Sequence, residues 1–218
     1  MTLDIKNCFE ALPHRLFLPV IKTRVDAATF SLIKMFLSSG NPIGIIQGNP
    51  LSPLLCNVAL SDFDRQMNQL DKNLAQWRYA DDLLLGALDP QAAIRGLAFA
   101  VHHLAELGLR MHPDKLVIST AQQGIDWLGV RMSIEERKAG KRRARYLVSR
   151  AVIEDMKKRV IKVQTIEAGK KVSLNKQIRS WVAGYPIAEN AERVTKEIEA
   201  HSKLKESKLK RVRYHGDR

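Results

Sequence analysis

The feature that most constrains this chain is Tyr79-Ala80-Asp81-Asp82, set between Leu74-Ala75-Gln76-Trp77-Arg78 and Leu83-Leu84-Leu85. Two short apolar runs joined by a tight polar turn predict a β-hairpin over 76–88, so an antiparallel sheet must be part of the fold. The tip of that hairpin carries two adjacent carboxylates. Asp is a common turn former, because its side chain bonds to nearby backbone. An Asp-Asp tip is therefore either a solvated turn or a holder of a divalent cation, and the rest of the chain has to choose.

The segments around the hairpin read as helices. Residues 27–38 form one, stopped by Gly40 and Pro42. Residues 50–68 form another, with Pro50 in its first turn and Leu51, Leu54, Leu55 and Val58 at helical spacing. Asp89-Pro90 opens a third with an N-cap and a proline at the first helical position. Its apolar face runs from Ile94 through Leu97, Val101 and Leu104 to a stop at Gly108. Residues 116–120 and 125–132 read as further strands. Helices packed on an antiparallel sheet make an α+β fold, here expected as a first domain over 1–134. The stretch 135–148 is polar, rich in Lys and Arg, and contains Gly140, so it reads as a linker. Helices are expected over 151–163, 174–183 and 191–209 within a second region, 149–210, and residues 211–218 as a disordered basic tail.

Charge separates the two regions. The formal net charge of +13 is not spread evenly: residues 1–136 hold 12 basic and 14 acidic side chains, residues 137–218 hold 24 and 9. A folded, basic C-terminal third points to a nucleic acid or an anionic membrane surface. No run of apolar residues is long enough to span a bilayer, and Met1-Thr2-Leu3-Asp4-Ile5-Lys6 has no secretory pattern. Cys8 and Cys56 show no metal-type spacing and read as small core residues, and a cytoplasmic location is expected. The histidines show no metal-site spacing, and His14, His102 and His103 read as surface or core residues.

Asp4 ends the first apolar run. A carboxylate at the buried end of a strand needs a partner, because an unpaired charge in a low dielectric is costly. A hard cation such as Mg²⁺ prefers carboxylate oxygens, and a pair of such ions about 3.5–4 Å apart can clamp the attacking and leaving oxygens of a phosphoryl transfer. Asp4 with Asp81 and Asp82 from a neighbouring hairpin would make that cluster. Between them, 44–55 is rich in turn residues and leads into a helix, whose free backbone amides favour an anion such as a phosphate.

Five segments together resemble a reverse transcriptase of the bacterial group II intron-like class, its palm and thumb. Asp4-Ile5-Lys6-Asn7-Cys8-Phe9 resembles that family's first catalytic aspartate motif. Gln47-Gly48-Asn49-Pro50-Leu51-Ser52-Pro53-Leu54-Leu55 resembles its Gln-Gly-x-Pro-x-Ser-Pro motif, with Asn57 two residues on. Tyr79-Ala80-Asp81-Asp82 is its signature tetrapeptide. Leu107-Gly108-Leu109 with His112-Pro113-Asp114-Lys115, and Ile125-Asp126-Trp127-Leu128-Gly129-Val130, resemble the two motifs that follow, the latter a primer-grip hairpin. The order and spacing of all five over roughly 2–132 are far more specific than any one. Leu174-Asn175-Lys176 and Ile178-Arg179-Ser180-Trp181 resemble the thumb, with Ser180 in place of the usual glycine.

The resemblance implies roles. Asp4 and Asp81 would bind two Mg²⁺ ions (or Mn²⁺), with Asp82 a secondary ligand and the Ile5 carbonyl also facing a metal. The activity would be RNA-directed DNA synthesis, a nucleotidyl transfer of dNTPs to a DNA primer on an RNA template. Phe9 would be the steric gate against a 2′-hydroxyl. Gln47, Gly48 and Pro50 would line the nucleotide site, and Lys115 would lie near the leaving pyrophosphate as a general acid. Trp127, Leu128 and Gly129 would position the primer. The basic thumb would follow an A-form hybrid by its phosphates.

The sequence departs from the family at its start. Only Met1-Thr2-Leu3 precede Asp4, whereas the family's palm follows basic fingers. The resemblance therefore implies a truncated or split form, with the fingers supplied by a separate chain or an upstream segment, and weak or no activity in isolation. The alternative is a non-catalytic, RNA-binding, maturase-like remnant or accessory subunit. No membrane partner is expected.

Overall fold

The computed structural model describes residues 1–37, 41–166 and 174–202. They form two compact units, Met1–Ile118 and Ser119–Arg218.

In the first unit, β1 (Thr2–Asp4) is followed by three short or medium helices, α1 (Cys8–Ala11), α2 (Leu18–Lys22) and α3 (Ala27–Phe36). The long α4 (Ser52–Leu70) leads into the hairpin of β2 (Leu74–Tyr79) and β3 (Asp82–Ala87), and α5 (Pro90–Glu106) closes the order. The local chemistry explains the starts. Asp26 Oδ1 accepts from the Thr29 N–H at 2.9 Å, and Asp89 Oδ1 from the Ala92 N–H at 2.7 Å, so α3 and α5 each open on a capping carboxylate. The helix expected from 50 starts at Ser52, because Asn49 and Pro50 are used in the turn before it.

The sheet is antiparallel throughout, in the order β1-β3-β2. Its register sets Leu3 opposite Leu83 and, across the next ladder, Arg78 opposite Leu83. The neighbouring row is Asp4, Asp82 and Tyr79. Successive side chains alternate between faces. Leu3, Leu83 and Leu85 are therefore buried on one face under the helices, with Leu55, Leu60, Phe63 and Met67 of α4 and Ala100 and Leu104 of α5 in the same core. Each of the buried Leu, Phe and Met side chains is worth roughly 1.5–3 kcal/mol. A Cβ at Gly96 would lie 2.9 Å from Leu74 Cδ2, so a larger residue there would make the Leu74 side chain shift where α5 packs on β2. The Asp4–Asp82–Tyr79 row falls on the opposite face, where Trp77 and Tyr79 are exposed.

The strand expected over 116–120 is reduced to one bridge. Thr2 and Val117 exchange backbone hydrogen bonds of 2.9 and 3.1 Å. β1 is too short to template a longer ladder, and a 3₁₀ turn at Pro113–Lys115 interrupts the chain beside it.

The second unit contains the sheet β4 (Ile125–Trp127), β5 (Val130–Glu136) and β6 (Arg142–Val148), in that order and antiparallel. Two helices follow, α6 (Arg150–Ile166) and α7 (Leu174–Val182), and residues 191–202 are helical as well. The stretch 135–148, expected as a linker, is instead the end of β5, a turn and β6. The ladder runs unbroken from Val130↔Val148 to Glu136↔Arg142. Val148 belongs to a core with Ile153, Val160, Ile178, Val182, Val194 and Ile198. The buried Asn190 ties that core to the strand, its Oδ1 accepting from the Val148 N–H at 2.7 Å. Of the helix expected over 191–209, the part past 202 lies outside the described residues, as does the expected tail 211–218. Among the described residues, no helix is long and apolar enough to cross a membrane.

Candidate catalytic site

The strand register puts Asp4 directly opposite Asp82, two carboxylates on neighbouring strands of the open face. Asp81 occupies the turn between β2 and β3. That turn is tight because Tyr79 and Asp82 are paired, leaving only Ala80 and Asp81 to cross over. Ala80 takes φ 54°, a left-handed conformation that L residues other than Asn, Asp and Gly rarely adopt. The turn is fastened to β1 through the backbone, since the Ile5 N–H donates to the Asp81 carbonyl at 3.0 Å. On its other side the first strand is bound by the 110–112 segment, where the Lys6 N–H donates to Arg110 O and the His112 N–H to Asp4 O, both at 2.8 Å.

That second segment delivers Lys115, whose ammonium donates to Asp4 Oδ2 at 2.8 Å. The bond to Asp4 raises the lysine's pKa, with Asp81 and Asp82 adding to the effect at longer range. Asp82 is perturbed the other way a carboxylate can be. Burial pushes its pKa up, the charges of Asp81 and Asp4 push it further, and Lys115 opposes them. Neither the Asp81 nor the Asp82 carboxylate has a hydrogen-bond or ion-pair partner among the described residues. The edge is thus a concentration of negative charge that one lysine only partly offsets.

This donor set suits a hard divalent cation: the carboxylates repel one another, and those of Asp81 and Asp82 have no protein partner among the described residues, while Asp4 is paired with Lys115. The three are gathered on one edge but not closed around a point: among the described residues, no group of three or more His, Cys, Asp and Glu is arranged to hold a metal ion. The Lys115 ammonium supplies the positive charge at Asp4.

Beside Asp81 lies a cavity of about 490 Å³ lined by Phe9, Gln47, Gly48, Asn49, Pro50, Ser52 and Pro53 as well as the aspartate itself. Phe9 reaches it from α1, half-buried against the core. Gln47 and Gly48 are exposed in the loop before α4. This loop is held by its own polar groups: Ser52 Oγ donates to Ile46 O at 2.6 Å, and Asn49 Oδ1 accepts from the Leu51 N–H at 2.9 Å. Upstream, the His14 ring Nε2 bonds the Gly44 carbonyl at 2.6 Å, and the Ile45 N–H donates to Phe9 O at 2.7 Å. A Cβ on Gly44 would lie 2.9 Å from Glu10 O. The loop is therefore held to α1 at Gly44 and Ile45, to the turn after α1 by the buried His14, and to the start of α4 by the buried Ser52. Sequence reading treats His14 as surface or core and gives Ser52 no role of its own. The available signal was a polar side chain inside an apolar run, which has to find a buried partner.

Trp127, Leu128 and Gly129 are in the second unit. Trp127 pairs with Val130, so Leu128 and Gly129 alone make the turn, at φ 49° and 78°. Two positive φ angles define the type I′ hairpin that matches strand twist. A Cβ at Gly129 would lie 2.8 Å from the Tyr185 hydroxyl, and its carbonyl accepts from the Ser149 N–H at 2.8 Å. The Trp127 indole N–H is buried without a partner among the described residues.

The chain matches the family described as "Reverse transcriptase (RNA-dependent DNA polymerase)" over residues 1–132. It is similar to the COX1/OXI3 intron 2 protein of Saccharomyces cerevisiae, 20% identical over 58% of this chain and 23% of the relative. It is similar to protein YkfC of Escherichia coli, 25% identical over 64% of this chain and 48% of that protein. A third similarity is to the retron Mx65 reverse transcriptase of Myxococcus xanthus, 35% identical over 34% of this chain and 18% of that enzyme. The chain thus spans less than half the length of each of these curated relatives.

Proposed function

This chain belongs to the reverse transcriptase family, and from that membership we propose that it carries the palm and thumb of an RNA-directed DNA polymerase that extends a DNA primer on an RNA template. The observation that supports the reading best is the register that sets Asp4 against Asp82, with Asp81 in the adjoining turn. Asp4 and Asp81, with the Ile5 carbonyl and Asp82 in support, would hold Mg²⁺. The chemistry supplied there would be activation of a primer 3′-hydroxyl and neutralisation of charge on an incoming triphosphate.

The chain's own residues do the rest. The Phe9 ring flanks the cavity beside Asp81, where a bulky edge excludes a ribose 2′-hydroxyl. Gln47, exposed on the same cavity, offers an amide to the nucleotide, and Gly48 and Pro50 shape the loop that carries it. Lys115 holds its proton at Nζ while paired with Asp4, and a cation held by Asp4 would compete with that pair. As a proton donor to pyrophosphate it acts only once freed, because the pair raises its pKa. Trp127, Leu128 and Gly129 form a rigid turn suited to pressing on a primer backbone. The β5–β6 tip adds Arg137, Lys138, Lys141 and Arg142, all exposed, a cationic end that suits phosphates.

A second reading is a non-catalytic RNA-binding subunit. It is favoured by the Lys115–Asp4 pair and by the absence, among the described residues, of a closed metal-holding group. Incorporation of a single dNTP on an RNA–DNA primer-template, at enzyme concentrations that reveal slow turnover, separates the two. Polymerase function predicts Mg²⁺-dependent incorporation that Asp81→Asn abolishes. Salt-sensitive hybrid binding with no incorporation, together with Mn²⁺ binding that Asp81→Asn leaves unchanged, supports the second reading and refutes the first.

A further inference from the structure

Arg78 stands on the helix-facing side of β2, its side chain only 5% exposed. A guanidinium that deep is tolerated only when its N–H groups are satisfied. Nε donates to Asp64 Oδ1 at 2.9 Å and Nη2 to Asp64 Oδ2, the two-pronged geometry that a planar fork allows. Nη1 donates to Asn57 Oδ1 at 3.1 Å and to the Ala80 carbonyl at 3.0 Å. Gln76 Nε2 braces the same carboxylate, donating to Asp64 Oδ1 at 2.7 Å. Burial works against the guanidinium's charge, and the Asp64 carboxylate outweighs it, so the pKa of Arg78 rises.

Two links of this network lie outside a simple ion pair. Asp64 and Asn57 both come from α4, the helix that follows the Gln47–Pro53 loop, so the helix beside the cavity anchors the arginine. The arginine in turn grips the carbonyl of the one residue in the hairpin turn with positive φ. The peptide it grips ends in the Asp81 nitrogen. The next carbonyl, that of Asp81, is gripped by the N–H of Ile5, the residue just after β1, at 3.0 Å. Two successive peptides are thereby fixed by different elements, and the Asp81 Cα between them has little freedom to rotate.

We infer that Arg78 is a positioning residue, which holds the Ala80–Asp81 turn by its carbonyl so that the Asp81 carboxylate is presented to the cavity beside Asp82. The inference rests on the reading of Asp4, Asp81 and Asp82 as a metal-binding edge. It assigns functions to Asn57 and Asp64 as well, as the groups that aim the arginine. Lysine cannot replace it, because a single ammonium cannot span a bidentate carboxylate and a turn carbonyl together. Partners that orient metal ligands typically change metal affinity by about 10–100-fold when removed.

The test uses the full chain with Arg78→Lys, followed by amide hydrogen exchange and by Mn²⁺ titration. The expected result is exchange at the Ile5 amide at least about tenfold faster, with the Leu60 and Leu104 amides unchanged, and Mn²⁺ binding weakened by about tenfold. A folded Arg78→Lys protein with wild-type protection at Ile5 and wild-type Mn²⁺ affinity overturns the inference. If circular dichroism shows that Arg78→Lys does not fold, Asp64→Asn is measured in its place, with the same two outcomes. Mn²⁺ binding by the wild type that Asp81→Asn leaves unaltered refutes the metal-site reading instead, and the exchange data still decide whether Arg78 holds the turn.

Discussion

Replacing Asp82 by Asn should make the first unit more stable while impairing the site. Asp82 faces Asp4 across the ladder and follows Asp81 in sequence, and no hydrogen bond or ion pair among the described residues holds its carboxylate. Directly paired residues on antiparallel strands have Cβ atoms about 5 Å apart. Two unit charges at that distance repel by about 1 kcal/mol in a water-like dielectric and about 3 kcal/mol at an effective dielectric of 20. The face is open and Lys115 offsets part of the field, so a gain near the lower figure, about 1 kcal/mol, is expected for Asp82→Asn at pH 7. The pH dependence has a definite sign. The folded pKa of Asp82 lies above its ordinary 3.8, so its ionisation costs the folded state nothing below that value and progressively more as pH rises through the folded value. The gap between variant and wild type should therefore close as pH falls toward 3.8. Urea unfolding reports it through Trp77, the one tryptophan of residues 1–118, with Trp127 and Trp181 replaced by Phe. Millimolar Mg²⁺ should stabilise the wild type more than the variant and narrow the gap. A variant less stable than wild type at pH 7, or a gap indifferent to pH, refutes the argument.

Further expectations concern single positions. Ala80→Gly relieves a left-handed alanine and should raise stability by up to about 1 kcal/mol in urea unfolding, with a loss of that size counting against the turn geometry. Gly129→Ala forces a Cβ to within 2.8 Å of the Tyr185 hydroxyl at a φ of 78°, and should destabilise the second unit by about 1–3 kcal/mol, read from Trp181 fluorescence. Lys115→Met leaves Asp4 free for a cation and should tighten Mn²⁺ binding by about fivefold, the equivalent of about 1 kcal/mol of charge repulsion in water. Neutralising Arg137, Lys138, Lys141 and Arg142 together should weaken hybrid binding and lower its salt slope by about 3–4, a loss a filter-binding series measures directly.

The hairpin and the three longer helices of the first unit were legible in the sequence because each is local. Short apolar runs, a polar turn, and Asp-Pro or Gly punctuation all act within a few residues. The pairing of Asp4 with Asp82 was not legible in the same way, since it depends on which strand lies beside which. Strand β6 was hidden by its own composition. Arg142-Arg143-Ala144-Arg145 looks like a solvated linker, and it becomes a strand because β5 offers a full ladder and Glu189 accepts ion pairs from Arg143 and Arg145. The supporting groups Arg78, Asp64 and His14 escaped for a related reason. A charged or polar residue in an apolar strand or helix announces that a buried partner exists, but not which residue it is.

Asp4, Asp81 and Asp82 are read above as a divalent-cation site. Mn²⁺ titration of the full chain by electron paramagnetic resonance, beside Asp4→Asn and Asp81→Asn, tests it most directly. The expected result is binding that Mg²⁺ competes away and that each substitution weakens by about tenfold or more, the effect of removing one charged ligand. Mn²⁺ binding equal in all three proteins, or none in the wild type, would contradict it.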